Sequence, residues 1–163
     1  MKKILVMLGV VVIALSVAVP GAFAADDMAA KLNAVMSKGT EIKFWQVSAE
    51  EVQAMIKAKK TDFVVVDVRP NPAEFTEGHI PGSLQITVQD IFKPESLKML
   101  PKNKKVILAC VTGQTQNLPV VGLRALGYDA YTMAFGYSAW TKGYRGAAIM
   151  QGAIQGANYS VVK

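Results

Sequence analysis

Apolar and polar positions change period repeatedly along this chain, and each change marks an element. Residues 26–38 place Met28, Leu32, Val35 and Met36 at helical spacing ahead of Gly39, which predicts a short amphipathic helix. Lys43 to Val47 predicts a short strand. Ser48-Ala49-Glu50-Glu51 has the form of a capping box and opens a helix through about Lys59. Phe63 to Val68 and Lys105 to Cys110 are near-continuous apolar runs rich in β-branched residues, as in strands covered on both faces. Leu84 to Ile86 and Ala130 to Ala134 add two more strands. Between them lie short helical stretches: Asn71 to Glu77 with Pro72 in its first turn, Pro94 to Leu100, Asn117 to Leu126, and Gly136 to Lys142. Asn117 is a candidate cap and Gly127 a stop for the third of these. Strands alternating with helices predict an α/β domain over 41–145, with a central, mainly parallel sheet and helices on both faces. Residues 25–40 form an N-terminal helix and linker. The last stretch, Gly146 to Lys163, is rich in Gly and Ala with weak periodicity, and is expected to be a tail.

The start of the chain follows another logic. Lys2 and Lys3 precede an apolar run from Ile4 to Val19, Pro20 and Gly21 interrupt any helix, and Ala22-Phe23-Ala24 supplies small residues where a signal peptidase reads. This is the order of a secretory signal peptide. The run is short of the ~20 residues that span a bilayer, and it is followed by acidic Asp26 and Asp27 rather than a basic patch. Cleavage after Ala24 is expected, which places the protein in the periplasm or outside the cell and leaves it no membrane anchor.

The formal net charge is +6, part of it in the leader. The remaining lysines are scattered and not interleaved with aromatics, unlike the concentrated basic stripe of a nucleic-acid surface. Cysteine usage is more telling. An exported chain normally pairs its cysteines, and this one has a single cysteine, Cys110. A leftover thiol of this kind points to a reactive group or to pairing with another molecule; burial as an inert small hydrophobe is the bland alternative.

Position favours reactivity. Cys110 ends a predicted central strand and precedes the polar, glycine-containing loop Val111 to Gln116, which runs into a helix. Ligand sites of open α/β sheets form beyond such strand ends. Gly113 gives the loop the φ freedom to curl, so that successive backbone N–H groups and the following helix make an anion cradle. A thiol perched there is held as thiolate, the nucleophilic form. It would attack a sulfane sulfur and keep it as a terminal persulfide anion in the same amides. That chemistry needs no general base, no metal and no cofactor.

Val66-Asp67-Val68-Arg69, Glu74-Phe75 and Gly78-His79-Ile80-Pro81-Gly82-Ser83, in that order, resemble the two signature segments of the rhodanese family. The strand ending in Cys110-x-x-Gly113-x-Thr115 resembles its active-site loop, and Gly127-Tyr128, Phe135-Gly136 and Trp140 resemble its closing segment, with Phe135 where a second glycine is common. The resemblance covers about residues 40 to 145. It implies a rhodanese-like three-layer sandwich around a five-stranded sheet. It also implies a sulfurtransferase in which Cys110 forms the persulfide and the amides of Val111, Thr112, Gly113, Gln114 and Thr115 bind the sulfur anion. The loop departs from the family in carrying no charge, so a polysulfide or a low-molecular-weight persulfide stands beside thiosulfate as donor. Phosphatases and arsenate reductases of this fold need a longer loop and an arginine where Gln116 lies.

The remaining candidates read as support. Arg69 is expected to pair with a carboxylate such as Glu74, and Asp67 to bond backbone amides near the pocket. His79, the only histidine, reads as a hydrogen-bonded turn residue rather than a base. One cysteine and one histidine fall short of a zinc site, which takes three or four protein ligands. Tyr137 and Trp140 are expected to pack in the core, and Phe135 to shield the persulfide. Asn158-Tyr159-Ser160 matches a glycosylation acceptor, a short and common pattern. Three functions fit this reading. The first is a sulfurtransferase passing sulfur from a small anionic or persulfide donor to cyanide or a thiol. The second is a catalytically weak rhodanese-like module docking to an exported partner protein. The third is an exported redox thiol forming mixed disulfides, which the absence of a resolving cysteine disfavours.

Overall fold

The computed structural model describes residues 20–156 and 159–162, with side chains from residue 25 onward. The basic start and apolar run of the leader, and Asn158 of the acceptor triplet, lie outside the described residues. The elements run α1 (Pro20–Met36), β1 (Gln46–Val47), α2 (Ala49–Lys57), β2 (Phe63–Asp67), α3 (Ala73–Glu77), β3 (Leu84–Gln85), α4 (Pro94–Met99), β4 (Lys105–Ala109), α5 (Asn117–Ala125), β5 (Asp129–Met133), α6 (Gly136–Trp140) and α7 (Gly146–Gln155). Among the described residues no helix is long and apolar enough to cross a membrane.

The sheet has five strands in the order β1-β5-β4-β2-β3, and every pairing is parallel, so "mainly parallel" becomes wholly parallel. Side-chain alternation assigns its two faces. Val66, Val106, Leu108 and Ala130 share one apolar cluster with Val120 and Leu123 of α5 and with Val35 of α1 and Leu97 of α4. Val65, Ile107, Ala109 and Met133 share the other with Val52 of α2 and Tyr137 of α6. The sheet is therefore the middle of three layers, and β4 lies at its centre.

Several local expectations change. The capping box forms as written: Ser48 Oγ accepts from the Glu51 amide and Glu51 accepts from the Ser48 amide. The expected strand at Lys43 is instead a 3-10 stretch over Gly39–Trp45, with left-handed φ at Lys43, Phe44 and Trp45; only Gln46 and Val47 pair with β5. Pro20 and Gly21 do not exclude helix; both lie within α1 as described, where the following alanines favour the helix. Asn117 does not cap α5. It is the first residue of that helix, and its Nδ2 donates to the Gly113 carbonyl at 2.7 Å. The end of the chain, which its weak periodicity left without an assigned element, forms α7 over Gly146–Gln155, which bears on the site.

Candidate active site

The site is built at the carboxyl end of β4. Strand alternation continues one residue past Ala109, so Cys110 faces the same side as Val106 and Leu108 and joins their apolar cluster. It is only 1% exposed. The thiol is thus sunk beneath the loop and the α5 layer, not perched at an open edge as expected.

The backbone around it is tied down on two sides. The Cys110 N–H donates to Gln116 Oε1 at 2.8 Å, and Gln116 Nε2 donates to the Met133 carbonyl at 2.6 Å. A single buried amide side chain, 1% exposed, therefore binds the end of the loop to the ends of both β4 and β5. On the other side, the Tyr137 N–H donates to the Cys110 carbonyl at 2.8 Å, and the Ser138 N–H and Oγ donate to the Val111 carbonyl at 3.0 and 2.8 Å. Two glycines permit this approach. A Cβ on Gly113, whose φ is +89°, would lie 2.9 Å from the Phe135 nitrogen, and one on Gly136 would run into the Cys110 carbonyl. Phe135 itself takes a left-handed φ of 61°, which favours glycine; the residue is 59% exposed, so the expected shield stands at the rim.

What the loop does not bond is as informative. Among the described residues, the amides of Val111, Thr112, Gly113, Gln114, Thr115 and Gln116 meet no acceptor. Buried or half-buried N–H groups normally find one, and a run of successive unbonded amides is the raw material of an anion-binding nest.

The neighbouring strand end is the opposite. Asp67 and Arg69, which follow from β2, form a buried ion pair: Arg69 Nε lies 3.0 Å from both Asp67 oxygens and Nη2 lies 2.5 Å from Oδ2. Arg69 also donates to the carbonyls of Glu74 and Gly78 and to the Tyr144 hydroxyl. Its guanidinium lies 3.8 Å from the Tyr137 ring centroid. The expected partners are therefore exchanged. Asp67, rather than Glu74, is the main carboxylate of Arg69, because the two lie two residues apart at the strand end and so project to the same side. Glu74 sits 3.9 Å from Arg69 and is held by Arg145 and the Tyr144 hydroxyl. Those bonds, Arg145's first and against the pull of burial, hold Glu74 below the usual carboxylate range. Burial and the charge on Asp67 push the Tyr137 phenol well above its ordinary value. Its hydroxyl donates to Asp67 at 2.8 Å and accepts from the Ile80 N–H.

Tyr137 thus joins the two strand ends, its amide on Cys110 and its phenol on Asp67. Sequence reasoning gave it only a packing role, and missed Gln116 as a brace; neither position is marked by a local pattern. His79 is exposed, stacked on Phe75 at 4.0 Å and bonded through Nδ1 to the Phe75 carbonyl. It does not line the cavity beside the loop. Among the described residues no group of three or more His, Cys, Asp or Glu side chains is placed to hold a metal ion.

That cavity, about 510 Å³, opens between the loop, the β1 and β5 edge and α7. A model of the rhodanese-like domain matches residues 48–143, which span every element from α2 to α6. The chain belongs to the rhodanese-like domain family. Two solved structures agree. A rhodanese-like domain protein from Staphylococcus aureus is 27% identical over 60% of this chain and 93% of its own, with a TM-score of 0.53. A rhodanese-related protein from Thermoplasma volcanium is 27% identical over 61% and 93%, with a TM-score of 0.52. A protein of Bacillus halodurans, 21% identical over 66% of this chain and 79% of its own, shares the fold with a TM-score of 0.55. Among curated proteins, none is similar enough to match. α1 and α7 lie outside the span of the rhodanese-like match.

Proposed function

We propose that this rhodanese-like protein is an exported sulfurtransferase, carrying sulfur on Cys110 after its leader, residues 1–24, is removed. The observation that carries this reading is the run of unbonded amides from Val111 to Gln116, directly after a cysteine at the carboxyl end of the middle strand. In the first half-reaction the Cys110 thiolate attacks the outer sulfur of the donor. A Cys110 S–S bond forms and the donor's S–S bond breaks, releasing sulfite from thiosulfate or a thiolate from a persulfide. In the second, cyanide or a thiolate attacks the outer sulfur of the Cys110 persulfide; thiocyanate or a new persulfide leaves, and the Cys110 thiolate returns. No net oxidation occurs and no cofactor is consumed. The persulfide anion is held by amide dipoles, which suit diffuse negative charge on sulfur. Because the loop carries no cation, polysulfide or a small persulfide serves as donor as well as or better than thiosulfate. The buried thiol requires the loop to open for each transfer.

That burial also favours a second reading, a docking module with a silent cysteine. Intact mass spectrometry separates the two. Incubating the chain lacking residues 1–24 with thiosulfate, polysulfide or glutathione persulfide should add one sulfur atom, removable by cyanide and absent in Cys110→Ser. Failure of every donor to add sulfur, or equal turnover by Cys110→Ser, leaves only the docking reading.

A further inference from the structure

The cavity beside the loop has a composition that bears on the identity of the donor. Its walls include Gln114, Gln116 and Asn117 from the loop and the start of α5, Gln46 and Thr132 from the sheet, and Phe135. Ile149, Met150, Ala153 and Ile154 of α7 form its far side. None of the lining residues is charged, although the chain as a whole carries 18 basic and 12 acidic residues. The polar groups all lie on the loop and sheet side, beside Ala134 and Phe135, and the α7 side is wholly apolar.

The cavity also lies on the right face of the sheet. Leu108 of β4 pairs with Thr132 of β5, and two residues on, Cys110 and Ala134 take corresponding places on the same face. Thr132 and Ala134 both line the cavity. Cys110 therefore lies on the cavity's face of the sheet, one strand from Ala134, and its N–H donates to Gln116, which lines the cavity. A volume of this order is that of small-molecule sites.

We infer that the sulfur donor is an organic persulfide whose carbon group is uncharged and aliphatic, that group lying along α7 and its sulfur end turned to the loop amides. This rests on Cys110 being a sulfur carrier. The inner sulfur of the donor keeps its carbon and departs as the alkyl thiolate; the outer sulfur passes to Cys110. A donor such as glutathione persulfide would bring its carboxylates against Ile149, Met150 and Ile154, where the lining offers no cation to meet them, which is less favourable than an aliphatic group there.

The test is a chain-length series. The initial rate of sulfur addition to Cys110 is read by intact mass with ethyl, butyl and hexyl hydropersulfide, with glutathione persulfide, and with inorganic polysulfide as the reference. The rate should rise about tenfold from ethyl to hexyl, below the ~fourfold per methylene that complete burial allows, and hexyl should outrun glutathione persulfide. Ile149→Lys and Ile154→Lys, at positions 56% and 74% exposed and so tolerant of a polar side chain, should each flatten the slope with chain length. In Cys110→Ser, hexanethiol should shift the Met150 methyl resonance saturably, a reading that needs no turnover. Loading from polysulfide with no dependence on chain length, or an unmoved Met150 methyl, overturns the inference and leaves the sulfurtransferase in place. No loading from any donor removes the sulfurtransferase reading, and the inference with it.

Discussion

Two strand ends sit side by side on this sheet and have opposite chemistry. After β2, Asp67 and Arg69 are saturated: every oxygen of the carboxylate and every nitrogen of the guanidinium has a partner in Tyr137, Tyr144, a carbonyl or the other member of the pair. After β4, the loop from Val111 to Gln116 bonds through its carbonyls and its flanking side chains and leaves its amides unused. Charge is concentrated in the first region and absent from the second. Perturbed, buried ionisable groups mark functional sites only as a matter of odds, and here their polar atoms are already bonded to one another and to the backbone. The region with capacity left over for a ligand is the uncharged one.

Breaking the saturated end should cost the most stability. Arg69→Ala leaves Asp67 buried, charged and without its main partner, an arrangement worth about 3 kcal/mol or more; urea denaturation should show it as a lowered midpoint. Gln116→Ala removes one side chain from the unsaturated end and strands the Cys110 amide and the Met133 carbonyl, at a cost of about 2 kcal/mol. It should also slow sulfur loading, since the loop loses its anchor to β5. A drop in stability with unchanged loading would show that the brace and the chemistry are independent.

The smallest effect is the pH dependence carried by Glu74. Its folded value is depressed below the ordinary 4.5, so its contribution to stability is complete above that value and is lost as pH falls through the folded one. The stability gap between the wild type and Glu74→Gln should therefore be constant at neutral pH and shrink below 4.5. Circular dichroism along an acid titration reads it; a gap that widens toward acid would assign the depression to a different group.

Much of the scaffold was legible from local pattern. The β-branched runs at Phe63 and Lys105 became two of the three inner strands, and the Ser48 capping box formed with both of its bonds. Those features depend on neighbours in the chain. The features that were not legible depend on neighbours in space. The left-handed turn from Lys43 to Trp45 carries no glycine to announce it. α7 has a weak apolar stripe because much of that face borders a cavity rather than a packed core. The burial of Cys110 follows from the cover that Val120 and Leu123 of α5 lay over the end of β4, partners that no local pattern marks. Gln116 and Tyr137 act through partners far along the chain, Met133 for one and Asp67 for the other.

The unused amides themselves can be watched directly. Backbone ¹⁵N–¹H spectra of the protein without residues 1–24, recorded before and after polysulfide treatment, report each amide's acceptor separately. Loading of Cys110 should move the Val111 to Gln116 resonances downfield together, and cyanide should return them. Sulfur added to Cys110 while those amides stay in place would mean that the anion is held elsewhere, and the loop would lose its role as the cradle.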